Sequence, residues 1–115
     1  MIAFLSGIVR FADADSAIVD VNGVGYRVSM PIPDLARTSV GAKIELHVHT
    51  HVREDAIVLF GFSTPVERET FRTLLSLSKV GPKLAMSVMS TFSLLELARA
   101  VERSDVGAIT HVPGI

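Results

Sequence analysis

The chain has 115 residues, 49 % of them apolar, no Cys and a net charge of −1. That length allows one compact domain or two very small ones, and the apolar share excludes a disordered chain. The lack of Cys excludes disulfides and Cys-ligated zinc and fits a reducing compartment. No apolar run approaches the ~20 residues of a membrane span, and the opening segment lacks the apolar stretch of a signal peptide. We therefore expect a soluble, cytoplasmic chain. A charge this close to zero excludes nucleic-acid binding through a broad basic field; local geometry has to hold any phosphate.

In chain order, the first half reads as strands. Residues 2–11 mix apolar and small side chains. Residues 17–21 alternate, and Asn22-Gly23 follows, a pair that tolerates the positive φ of a type I′ hairpin turn. Residues 24–30 alternate again, with Gly25 a candidate bulge. Pro31 and Pro33 end that strand, and residues 34–38 read as one helical turn. Residues 43–52 and 56–62 form a last hairpin with Glu54-Asp55 at its tip. Five short strands and one short helix predict a small closed barrel.

The period then changes. Thr64-Pro65-Val66-Glu67 has the form of a helix start, with Thr64 as N-cap, Pro65 at the first helical position and Glu67 closing a capping box. Phe71, Leu74, Leu75 and Ser78 share one face of that helix. Gly81-Pro82 breaks it and opens the next, where Leu84, Ala85, Val88 and Met89 form a core-facing stripe. Ser93 and Glu96 make a second capping box, followed by Leu94, Leu97, Ala98 and Val101. Ser104 caps a short final helix through Ile109. The boundary falls near Ser63, giving modules 1–63 and 64–115 that we expect to pack together. The last residues, Val112-Pro113-Gly114-Ile115, echo Lys79-Val80-Gly81-Pro82 and read as the start of a turn, so we expect a fragment of a longer protein.

Three constellations carry chemistry. The turn at 80–83 leaves backbone N–H groups free at a helix start, where they and the helix dipole suit a phosphate. Lys83 places a cation where that dipole disfavours it, which suits an external anion. An ordinary helix–helix corner has the same local sequence. Glu54 and Asp55 fix negative charge at a projecting turn. They can repel phosphate, form a solvated loop, or serve as a carboxylate dyad or divalent-metal site, although no third acidic partner is near in sequence. His47, His49 and His51 share a strand face, which suits either zinc or a polar outer surface. The familiar enzyme motifs (nucleophile elbow, Walker loop, dinucleotide fingerprint, His-Glu-x-x-His) are missing.

Taken in order, these pieces resemble the RuvA family of Holliday-junction recognition proteins. The match runs through Met1-Ile2 with Leu5 and Gly7, Gly23-Val24-Gly25-Tyr26, Val52-Arg53-Glu54-Asp55, Leu59-Phe60-Gly61-Phe62, Val80-Gly81-Pro82-Lys83-Leu84-Ala85, Glu102 with Val106-Gly107-Ala108, and Val112-Pro113-Gly114-Ile115. The resemblance implies an α+β chain: a five-stranded OB-fold barrel followed by an all-α helix-hairpin-helix domain, incomplete at its second hairpin. It implies structure-specific binding of four-way DNA junctions by a homotetramer, or by an octamer, in branch migration, recombination, DNA repair and the SOS response. Glu54 and Asp55 would be an acidic pin. Lys79, Val80, Gly81 and Lys83 would form the first DNA-binding hairpin, and Val112 and Gly114 would open the second. No cofactor, metal, membrane or catalytic site is implied. The RuvB ATPase, engaged through a C-terminal domain missing here, and the RuvC resolvase would be partners. Where the family commonly has Gly in the first hairpin, this chain has Lys79. A general OB-fold binder of single-stranded nucleic acid is the alternative, with a helix-hairpin-helix repair enzyme and a purely structural oligomerisation module as further rivals.

Overall fold

The computed structural model of the chain describes residues 1–93, 95–97 and 99. The expected final helix from Ser104, the hairpin at Val112 and Gly114, and the apolar positions Leu94, Ala98 and Val101 lie outside the described residues. The chain divides into two compact units, Met1–Arg68 and Glu69–Ile115.

The first unit is built on five strands: β1 (Phe4–Ala12), β2 (Ser16–Val21), β3 (Val24–Ser29), β4 (Lys43–Arg53) and β5 (Ala56–Phe62). They close into a barrel in the order β1-β2-β3-β5-β4. Only β3 and β5 pair in parallel; the other neighbours are antiparallel. This is the OB-fold arrangement, and closure leaves the sheet without an open edge. Alternation along each strand sends Leu5, Val19, Val28, Leu46, Val48 and Leu59 into one buried cluster.

The connections are fixed by short polar bonds. Asn22 and Gly23 take φ of 51° and 93°, as the type I′ turn requires. The Asp20 carboxylate accepts the Gly23 N–H at 2.8 Å and Arg10 Nε at 2.9 Å. Arg10 and the Gly23 amide hold that carboxyl below its ordinary range. Between β1 and β2, Asp13 accepts the amides of Asp15 and Ser16.

Two details differ from the expectations. The β2–β3 register runs unbroken through Gly25, paired with Asp20; the irregularity sits in β1, between Val9 and Phe11. The short helix, α1 (Ile32–Ala36), starts two residues before the expected turn, because Pro31 serves as its N-cap. Proline needs no N–H in a first helical turn, so Pro31 and Pro33 open the helix as well as ending the strand.

Helix α2 (Pro65–Ser76) begins as expected. The Glu67 amide donates to Thr64 Oγ1, and that hydroxyl donates to Glu67 Oε1, both at 3.2 Å. Asp34 of α1, only 4 % exposed, lies behind this start. It accepts the Ser63 amide at 3.2 Å and hydroxyl at 3.1 Å, and pairs with Arg37 at 2.9 Å. Burial pushes the Glu67 carboxyl up to about 7, helped by the hydrogen bond and charge of Asp34 and opposed by Thr64 and Arg37. The Glu67 carboxyl therefore keeps its proton well above the usual carboxylate range.

The second unit buries Phe71, Leu74, Val80, Ala85, Val88, Met89 and Leu97. The expected stripes are present, except that Ser78 lies beyond the end of α2 and is exposed. Helix α3 (Pro82–Thr91) follows a short turn. Ser93 and Glu96 then form the full reciprocal capping box, at 2.9 and 3.2 Å.

Candidate nucleic-acid interface

The β4–β5 ribbon outruns the barrel. β1 pairs with β4 only as far as His47, and residues 1–3 follow it through bonds from Val48 N–H to Ala3 O (2.8 Å) and Thr50 Oγ1 to Ile2 O (2.6 Å). The last rungs, His51–Val58, Val52–Ile57 and Arg53–Ala56, join only β4 and β5. Glu54 and Asp55 form the two-residue turn beyond them, and both are exposed. Neither has positive φ, so this tip is closed without the left-handed geometry of Asn22-Gly23. Two carboxylates on the end of a narrow ribbon project negative charge, with Arg53 on the rung just behind them. A phosphate ~4 Å from one of them costs about 1 kcal/mol in water and several times more where water is excluded.

The helical hairpin presents the opposite chemistry. The Leu77 and Val80 amides are satisfied by Leu74 and Leu77 carbonyls at 3.1 and 3.3 Å, which closes the turn. Gly81 caps α3 with φ −95° and ψ 177°, and its carbonyl accepts the Ala85 amide at 3.0 Å. The amides of Gly81, Lys83 and Leu84 have no acceptor among the described residues. A Cβ built on Gly81 would meet nothing within 4 Å. Neither backbone conformation nor protein packing therefore demands Gly at this position. Its small size leaves clear space in front of the amides. Lys79, Gly81 and Lys83 are exposed, while Val80 is buried and anchors the turn. Positive φ falls on Lys79, at 67°, and not on Gly81.

The three histidines line the outward face of β4 as expected, opposite Phe62, Phe60 and Val58 of β5. The His47 ring packs edge-on to Phe4 at 5.4 Å, and His51 to Phe60 at 6.4 Å. Among the described residues, no group of three or more His, Cys, Asp or Glu is placed to hold a metal. Reasoning from sequence missed the Asp34–Glu67 pair; its only signal was a lone Asp after Pro33, with partners about thirty residues away. The described helices include none long and apolar enough to cross a membrane.

Two family models match the chain: the RuvA N-terminal domain over residues 1–61 and a SAM-like helix-hairpin-helix tandem over residues 71–115. Among similar curated proteins, that of Pelobacter propionicus is 44 % identical over 115 residues, covering 100 % of this chain and 58 % of the relative. That of Pseudomonas fluorescens is 46 % identical over 116 residues, covering 100 % of this chain and 57 % of the relative. That of Geobacter sulfurreducens is 42 % identical over 116 residues, with 100 % and 58 % covered. Each carries the name Holliday junction branch migration complex subunit RuvA. This chain thus spans under two thirds of the length of the relatives it matches.

Proposed function

The chain belongs to the RuvA family, and on that premise we propose that it binds four-way DNA junctions as a non-catalytic scaffold for branch migration. The observation that carries this reading is the coexistence in one chain of an exposed carboxylate tip and a helix start with unfilled amides. The amides of Gly81, Lys83 and Leu84, with Lys83 and Lys79 beside them, hold backbone phosphates without reading bases. Val80 fixes the turn. Glu54 and Asp55 act as a pin that disfavours close-packed phosphates and so disfavours plain duplex. Val112 and Gly114 add phosphate contacts of the same kind. Residues 1–63 supply the pin-bearing barrel and 64–115 the phosphate-holding module. The chain works in the cytoplasm as a homotetramer, or as an octamer clasping the junction from both faces. The motor is a separate ATPase, RuvB, and RuvC resolvase acts on the same junction.

Electrophoretic binding to a synthetic four-way junction across a salt series tests this. Lys83→Ala weakens binding and lowers the slope of log K against log salt by about 0.9 for each phosphate that is no longer neutralised. An unchanged slope removes the phosphate role. Single strand competes poorly, because Phe60 and Phe62 are buried and unable to serve as stacking platforms. Single strand displacing the junction at equal concentration would instead favour the general OB-fold binder.

A further inference from the structure

On the second rung below the acidic tip, behind Arg53–Ala56, the β4–β5 ribbon carries an apolar pair. Val52 and Ile57 face each other in register and are 54 % and 67 % exposed. Their face continues through Thr50–Leu59 and Val48–Gly61 into the barrel core. The opposite face of the same rungs carries His51 and Arg53, so the cation lies away from the apolar pair. Both side chains are β-branched and stiff at χ1, which makes the rung a preset blunt edge. Strand propensity does not require this: Thr serves a pleated surface equally well. An exposed apolar rung on a two-stranded ribbon is otherwise an association hazard.

Charge selects the occupant. A single rung, Arg53–Ala56, separates Val52 and Ile57 from the Glu54-Asp55 turn, so two carboxylates stand close to whatever packs on the apolar pair. A phosphate is repelled there; an uncharged apolar surface is not. In nucleic acid that surface is the face of a base pair, bared only where stacking is interrupted, as at a crossover. We propose that the Val52–Ile57 rung packs against base-pair faces at the open centre of a four-way junction and keeps them unstacked. The proposal rests on the junction-binding reading and names the part of the DNA that the ribbon touches. Apolar side chains inserted at base steps are an established means of holding DNA unstacked.

The test uses the full chain and a junction carrying 2-aminopurine beside the crossover. Binding of the parent raises the 2-aminopurine fluorescence as the base unstacks. Val52→Thr with Ile57→Thr still shifts the junction in a gel but loses most of that rise. A variant that keeps the parent's rise overturns the proposal. So does a variant whose native mass without DNA differs from the parent's, since the rung then lies between copies of this chain. Melting of both proteins monitors folding, and Ile57→Thr alone replaces the double variant should the latter unfold. If the parent fails to shift the junction, the proposed function falls and takes this inference with it. If the parent shifts it and the variant gives an equal rise, only the inference falls.

Discussion

Lys79 holds a backbone angle that glycine adopts freely and lysine does not, with φ at 67°. For a residue with a Cβ, the left-handed region costs about 1–2 kcal/mol. Glycine would avoid that cost but would lose more freedom on folding, by about 0.5–1 kcal/mol. The balance predicts that Lys79→Gly raises the melting temperature by a few degrees. The same variant separates two roles that the position combines. If the Lys79 ammonium meets a phosphate, junction binding weakens and its salt dependence flattens while the fold gains stability. If the lysine only completes the turn, binding holds or improves. A lower melting temperature would show that the ammonium stabilises the hairpin more than the angle strains it. The turn itself was legible from Gly81-Pro82, which stops one helix and starts the next. Its handed residue was not, because glycine marks a turn in sequence without marking which residue takes positive φ; here Gly81 stays at −95°.

At the level of elements, the start of α2 is tied to α1 by a pair of acids. Asp34 is buried and already accepts from Ser63 and Arg37. Glu67 lies half-buried beside it, its carboxyl raised from the usual 4.5 to about 7. Between those values the folded chain binds a proton that the unfolded chain has released. Stability from this group is therefore complete at low pH and declines as pH rises through 7. Glu67→Gln keeps a neutral donor toward Asp34 and cannot ionise. Chemical denaturation at pH 5 and pH 8 should show the parent losing more stability than the variant across that interval. Equal losses would mean that the pair does not couple to folding. The strands and capping boxes were readable because each is a local pattern: alternation for β4 and β5, Thr64 with Glu67, Ser93 with Glu96. The β1 irregularity and the Asp34 network were not, because they arise from partners distant in sequence. Arg10, which the β1–β2 register skips between Val9 and Phe11, has no glycine beside it to mark the irregularity, and Asp34 meets Ser63 only after the barrel has closed.

For the whole molecule, affinity and selectivity must come from different places. The chain carries 11 basic and 12 acidic side chains, so no general attraction draws it to DNA. On the proposed reading, unfilled amides and a few lysines would supply binding that is the same for every duplex segment. Glu54 and Asp55 would then subtract from it wherever two backbones run close together. On this account, the acidic tip discriminates between DNA shapes by penalising the wrong one. Glu54→Gln with Asp55→Asn keeps the tip's size and hydrogen-bonding capacity and removes two negative charges. Affinity for plain duplex should rise by roughly fivefold to thirtyfold, the range set by one or two carboxylate–phosphate repulsions of about 1 kcal/mol in water. Junction affinity should change far less, since an open centre lets phosphates stand off from the tip. The gain on duplex should also shrink with added salt, because an exposed repulsion is screened within a Debye length of about 8 Å at physiological ionic strength. Competition between labelled junction and excess duplex, at low and high salt, measures all three quantities at once. Equal gains on both DNA forms would reduce the tip to a general charge effect. A gain confined to duplex would make those two carboxylates the residues that set the chain's preference for a junction.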